Sequence, residues 1–348
     1  MVPGLAALVL SLASLNPIGV PLPPLPIAAF PAHEPPVLSA GSWALYSVDD
    51  EAFIWAADAD EVRAPASVTK VMTALVVISQ GVAAGDEVTI SARAASEPIG
   101  YTGQQRTYQG EVWTVEALMS DMLVYSDNTA SVALAEHTAG SVDAFVALMN
   151  EKAAELGMTA THFVNPNGLD ADGHVSSARD LVTLGAAAIQ EPRITRITRL
   201  KFVTFMPGGR IMEVKNTNRL LGTFPGVLGL KTGDTARAGE VLLSYAVLGH
   251  DRFLGVVMGS PDHMAETAEM LAYAGRILGP QDHFYAPGAP LDELAAWPIW
   301  RRARLAAIGP LDDGKRPDAA LPLSPAEQAV ADALRDLLPA LLGGDGTT

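Results

Sequence analysis

Three short strings with the means to do chemistry stand in a fixed order along the chain: Ser67-Val-Thr-Lys70, Ser126-Asp127-Asn128 and Lys231-Thr232-Gly233. Together they offer a hydroxyl nucleophile, proton carriers and an anion-binding strand, the equipment of a serine enzyme that works through an acyl intermediate. A Ser-x-x-Lys or a Lys-Thr-Gly alone is common in ordinary helices and loops. The order of all three, and the local structure expected around each, carries the reading.

Ser67 and Lys70 are three residues apart, so they meet on one face of a helix that begins near Ser67. Val68, Val71, Met72, Leu75 and Ile78 recur at helical spacing and Pro65 suits a helix start, which predicts a helix over about 67–80 with Ser67 in its first turn. A serine hydroxyl is a poor nucleophile at neutral pH and needs an adjacent base. Lys70 is the candidate, provided that burial and neighbouring cations lower its pKa.

Ser126-Asp127-Asn128 falls between two apolar runs of helical character, Val115 to Tyr125 and Thr129 to Ala139, and reads as a short connection aimed into a cleft. Ser126 suits a proton relay between Lys70 or Lys231 and a leaving amine. Asn128 can hold both Lys70 and a substrate backbone, and Asp127 is expected to alter mainly the cleft wall. All three residue types also cap helices. Lys231-Thr232-Gly233 follows an apolar run at 226–230 and precedes two more at 240–248 and 252–258, which read as a hairpin turning at 249–251. On a strand beside that hairpin, Lys231 and Thr232 suit a substrate carboxylate, and Gly233 removes bulk where a substrate approaches. The backbone N–H groups of Ser67 and Asp234 suit an oxyanion hole.

The elements that must hold these residues are legible in outline. Runs at 43–48 and 52–56 predict a hairpin around Asp49 to Glu51. Helices are expected at about 67–80, 115–139, 141–156, 177–190 and 262–278, with short strands near 201–205 and 211–214 and longer ones over 227–258. Strands from both chain ends with helices between them predict an α+β fold: a single antiparallel sheet with flanking helices and a helical subdomain, the cleft at their junction.

The chain resembles the serine D-Ala-D-Ala carboxypeptidases, the low-molecular-mass penicillin-binding proteins, over about Gly41 to Gly279. The likeness is carried by the three strings and by Ala66 to Thr73, Phe163-Val-Asn-Pro-Asn-Gly-Leu-Asp170 with His174, Ser176-Ser-Ala-Arg-Asp-Leu181, Asn216-Thr-Asn-Arg-Leu-Leu221, and Gly229 to Thr235 with Ala238-Gly239. It implies a three-layer αβα-like fold of the β-lactamase/transpeptidase kind, with Ser67 acylated, Lys70 the base, Ser126 and Asn128 the second element and Lys231 heading the third. The substrate it implies is a peptidoglycan stem peptide, with β-lactams as inhibitors and neither cofactor nor metal. One departure favours a runner-up. The second string of that family usually has a small middle residue, whereas Ser-Asp-Asn resembles class A β-lactamases. Those enzymes also carry a loop glutamate, and between Leu156 and Ile189 this sequence has no Glu. A β-lactamase is therefore disfavoured, as is a non-catalytic wall-binding relative, since no catalytic position is lost.

Composition narrows the rest. Across 348 residues the net charge is −16, which argues against a nucleic-acid partner, and the absence of cysteine excludes disulfides and thiol nucleophiles. The seven histidines form no zinc-peptidase motif, and His174 near the cleft reads as a loop anchor. Three regions are expected: an apolar, signal-like segment and Pro-rich linker at 1–36, the peptidase domain at 37–280, and a Pro/Ala/Leu-rich extension at 281–348. Leu5 to Leu15 has the length of a signal-peptide core, so export and an extracytoplasmic location are expected. In the extension, Trp297 to Arg304 and a stripe of Val330, Leu334, Leu337, Leu338 and Leu341 suit contact with a membrane surface.

Overall fold

The structure, a computed structural model, describes residues 35–98, 106–249 and 251–278. The strands are β1 Ser42–Ser47, β2 Ala52–Ala57, β3 Glu87–Thr89, β4 Val112–Thr114, β5 Phe202–Phe205, β6 Met212–Lys215, β7 Val227–Thr235, β8 Gly239–Leu248 and β9 Asp251–Ser260. The helices are α1 Thr69–Ser79, α2 Ala92–Ala95, α3 Val115–Ser120, α4 Asn128–Ala139, α5 Val142–Glu155, α6 Ala178–Ala188, α7 Pro192–Thr198 and α8 His263–Leu278.

Alternation along the strands sorts their side chains onto two faces. Leu45, Leu242, Ala246, Phe253 and Val257 pack with Met264, Met270, Leu271 and Ala274 of α8 on one side of the sheet. Ala44, Val241, Leu243, Leu254, Val256 and Met258 enter the core shared with α1 and α6 on the other. The result is the expected three layers around an antiparallel sheet ordered β2-β1-β9-β8-β7. Strand β7 lies at an edge of this sheet and packs against the turn that carries Ser67. Helix α1 is buried from Thr69 through Val77, so the helix behind the nucleophile runs through the middle of the core instead of along the surface.

Three differences from the sequence reading have physical causes. The sheet is not single: β3 pairs with β4, Val88 opposite Trp113, and β5 pairs with β6, each a separate antiparallel ladder. Three-residue strands such as β3 and β4 are too short to display a period of two. Helix α7 was not expected; Pro192 starts it, and Ile194 and Ile197 anchor it in the core. The connection expected at 126–128 is present, but the helical run expected before it is not α throughout. Helix α3 gives way to a wide π turn over Asp121–Tyr125, and Ser126 follows in the left-handed region at φ 73° before α4 begins. The expected segment before residue 35 and the expected extension from 281 lie outside the described residues.

Candidate active site

The first string meets as its spacing requires. A short 3-10 turn, Ala66–Val68, leads directly into α1 and places Ser67 at the helix entrance. Lys70, fully buried, donates from Nζ to Ser67 Oγ at 2.8 Å, to Asn128 Oδ1 at 2.8 Å and to the Asn167 carbonyl at 2.5 Å. Burial, and next the charge of Lys231, hold the Lys70 amine well below the usual lysine range, while Asp127 and Glu97 pull the other way. An amine so shifted can offer its lone pair to the Ser67 hydroxyl, as a general base must. Ala66, just before the serine, has φ 47°, an uncommon conformation for a residue with a side chain and one that is often found beside reacting groups.

The second string divides its work. Asn128 bridges Lys70 and the chain before it, since its Nδ2 donates to the Pro98 carbonyl at 2.9 Å. Its second amide hydrogen has no partner among the described residues. Asp127 caps α4: its carboxylate accepts from Ala130 N at 2.8 Å, with the Thr107 hydroxyl donating from the other side. Burial pushes its pKa up. Behind it, Asp121 is buried with no hydrogen-bond partner for either carboxyl oxygen among the described residues, and burial beside Asp127 drives its pKa well above the carboxylate range. Ser126 is half-buried at the end of the π turn, and no hydrogen bond joins it to Lys70 or Lys231 among the described residues. A relay through Ser126 thus has its residue in place but not its contacts.

On β7, Lys231 is 1% exposed, and its Nζ donates to the Thr232 carbonyl at 2.9 Å. Burial lowers its pKa to about 7. The Thr232 hydroxyl lies 2.6 Å from that of Thr217, whose N–H donates to the Val124 carbonyl. Asn218 donates to the Gly229 carbonyl, so the Asn216-Thr-Asn218 segment braces β7 against the π turn. Gly233 faces the nucleophile: a Cβ there would sit 2.8 Å from Ser67 N. Asp234, next along this edge strand, is exposed.

A loop the sequence reading left without a role completes the site. Gly168, at φ 83°, lies so close to the Ser67 turn that a Cβ would come within 2.0 Å of the Ala66 carbonyl oxygen. Its neighbour Asn167 thereby presents its carbonyl to Lys70. His174 anchors this loop as expected, its Nδ1 accepting from Val164 N at 2.9 Å and its Nε2–H donating to the Thr69 hydroxyl at 2.8 Å. Burial lowers its pKa to about 4. The Asn-Pro-Asn-Gly turn at 165–168 signals a tight loop, but nothing local in the sequence says where it docks.

Comparisons with known proteins agree with this geometry. Residues 29–262 match the family described as D-alanyl-D-alanine carboxypeptidase. The chain is 35% identical over 253 residues to D-alanyl-D-alanine carboxypeptidase DacF of Bacillus subtilis (strain 168), covering 70% of this chain and 62% of that protein. It is 35% identical over 281 residues to DacA of Escherichia coli (strain K12), covering 76% and 67% respectively. This chain therefore spans roughly two thirds of the length of these relatives. Among solved structures, the Streptomyces K15 DD-transpeptidase is 26% identical with a TM-score of 0.66, covering 69% of this chain and 98% of that one. The D-alanyl-D-alanine carboxypeptidase DacD from Francisella tularensis is 27% identical with a TM-score of 0.64, covering 70% and 73%. Sequence, fold and the arrangement around Ser67 place this chain in the D-alanyl-D-alanine carboxypeptidase family.

Proposed function

We propose that the protein is a serine D-Ala-D-Ala carboxypeptidase of the cell envelope that removes the terminal D-alanine from peptidoglycan stem peptides. The observation that carries this reading is the contact of a desolvated Lys70 amine with the Ser67 hydroxyl, beside an edge strand that holds a second buried lysine. The substrate's terminal carboxylate docks at Lys231 and Thr232. Neutral Lys70 takes the proton of Ser67 as Oγ bonds to the penultimate D-alanine carbonyl carbon. The N–H groups of Ser67 and Asp234 meet the oxyanion. As the tetrahedral intermediate collapses, the C–N bond breaks, and the departing D-alanine amine takes a proton from Lys70 by way of Ser126. Water then adds to the ester, gives up one proton to Lys70 and releases the shortened peptide, after which Ser67 is restored.

β-Lactams fit the same site, their carboxylate at Lys231 and their carbonyl at Ser67, and act as inhibitors. Export fits an envelope substrate, and the apolar run Leu5 to Leu15 supports it. The test is a brief exposure to benzylpenicillin followed by intact-mass measurement and mapping of the modified residue. The wild-type chain should gain one penicilloyl group on Ser67, and Ser67→Ala, retaining its fold, should gain none and release no D-alanine. Acylation of the alanine variant would overturn the assignment.

A further inference from the structure

Lys70 owes two of its three hydrogen bonds to asparagines, and both asparagines are tied to the same dipeptide. Asn128 accepts from Lys70 through Oδ1 and donates through Nδ2 to the Pro98 carbonyl at 2.9 Å. Asn167 accepts from Lys70 through its backbone carbonyl and donates through its own Nδ2 to Glu97 Oε2 at 2.9 Å. The contacts close a ring: Glu97-Pro98, Asn128, Lys70, Asn167 and back to Glu97. Its members come from four places in the chain, namely the segment after α2, the start of α4, helix α1 and the loop before α6. Such a ring fixes the direction of the amine, because moving Nζ from Ser67 would strain both amides at once.

We propose that Glu97 and Pro98 form a positioning clamp for the base. Pro98 sets the face of the Asn128 amide, and Glu97 holds the Asn167 peptide while placing a negative charge near the amine. The inference deepens the carboxypeptidase reading above and rests on it. Glu97 touches neither Ser67 nor Lys70 directly, so it is a positioning residue, not a catalytic one. Its two contributions are separable. The hydrogen bond to Asn167 needs only an acceptor, which a glutamine supplies. The field on Lys70 needs the charge, which a glutamine lacks.

The charged groups that bear on Lys70 are Lys231 from β7, Asp127 from the start of α4 and Glu97 from the segment after α2; His174, on the loop before α6, is itself held neutral by burial and, to a lesser extent, by Lys70. Of these, Lys231 lowers the pKa of the amine and the two carboxylates raise it. Loss of the Glu97 charge therefore frees the base form at lower pH, whatever happens to the contact geometry.

The test is the pH profile of the acylation rate constant with benzylpenicillin, measured on the whole chain for wild type, Glu97→Gln, Glu97→Ala and Asn167→Ala. The acid limb should move to lower pH in both Glu97 variants. The plateau rate should stay within about threefold for Glu97→Gln, and fall on the order of 10-fold or more for Glu97→Ala, the size expected for losing a hydrogen bond to a charged group. Asn167→Ala keeps the carbonyl but loses the tether, so it should lower the plateau as Glu97→Ala does. A Glu97→Ala/Asn167→Ala double variant, measured alongside, should be no worse than either alone. Unmoved acid limbs in both Glu97 variants, or a full plateau in Glu97→Ala, would overturn the clamp. A wild-type chain that does not acylate at all would instead overturn the carboxypeptidase reading, and melting curves of the five proteins separate either outcome from misfolding.

Discussion

The buried Lys231 should make binding of a carboxylate depend on pH in a way that binding of an amide does not. The ammonium is enclosed and donates to the Thr232 carbonyl, and burial sets its pKa at about 7. Half the molecules then carry the charge at pH 7, and on the order of one in a hundred at pH 9. If only the charged form holds a carboxylate, the apparent affinity scales with that fraction, so it falls about 50-fold between these pH values. Once the carboxylate is seated, the pair keeps its proton, and binding at pH 8 to 9 takes up close to one proton. The measurement uses Ser67→Ala, which binds without reacting. Titration calorimetry with a stem-peptide analogue, as free acid and as C-terminal amide, in buffers of differing ionisation enthalpy, gives affinity and proton uptake together. Lys231→Ala should cost the acid about 2–5 kcal/mol and the amide far less, because it leaves a carboxylate desolvated without a partner. Lys231→Arg, charged throughout this range, should bind the acid with partial loss from its altered donor geometry and little pH slope. Equal slopes for acid and amide, or a flat profile for the acid, would show that Lys231 does not meet the carboxylate.

Three further outcomes follow from the loop before α6 and from the site it completes. Gly168→Ala must accommodate a Cβ within 2.0 Å of the Ala66 carbonyl oxygen at φ 83°, so it should lower stability by about 1–3 kcal/mol and slow acylation by at least an order of magnitude; unchanged melting and acylation would refute the close approach. His174 titrates near 4 in the folded chain against 6.5 in the unfolded one, so the unfolded chain takes up its proton first as the pH falls. The associated stability is present above pH 6.5 and drains away toward pH 4, by about 3 kcal/mol in total, and urea melts of His174→Gln should lack that component of the pH dependence. Without a loop glutamate to activate water, a penicilloyl group on Ser67 should persist far longer than the peptidyl ester, and sustained turnover of a chromogenic cephalosporin would count against this reading.

Much of this was legible because the decisive relations are local. Ser67 and Lys70 meet because three residues of helix bring them together, and the hairpin of β8 and β9 shows in two apolar runs with turn residues between them. What stayed hidden depends on contacts across long stretches of chain. Asn167 is 97 residues from Lys70, and Glu97 is 70 from Asn167. No periodicity reports such a meeting, and the loop glycine that permits it looks like any turn glycine until the Ala66 carbonyl is seen beside it. The π turn was missed for a different reason. Asp121 to Tyr125 has an apolar pattern that suits an α-helix equally well, and the extra residue per turn becomes evident only where Ser126 emerges in a left-handed conformation.

Asp127 shows how one side chain can mislead a reading by motif and still obey a simpler rule. Placed between Ser126 and Asn128, it invites comparison with β-lactamases. In the structure it does what aspartate does at the start of many helices: it accepts from Ala130 N and holds the first turn of α4, a contribution of about 0.5–2 kcal/mol. That turn begins with Asn128, so the cap also fixes the residue that holds Lys70. The cap brings a negative charge near the amine, which favours the protonated lysine and opposes its use as a base. Burial outweighs it, with Lys231 adding to the same side, and the net shift of Lys70 remains downward. A capping carboxylate in the second motif is thus compatible with a lysine base, provided the amine is kept dry. Its carboxylate oxygens are engaged by Ala130 N–H and the Thr107 hydroxyl, so its contacts among the described residues serve the cap.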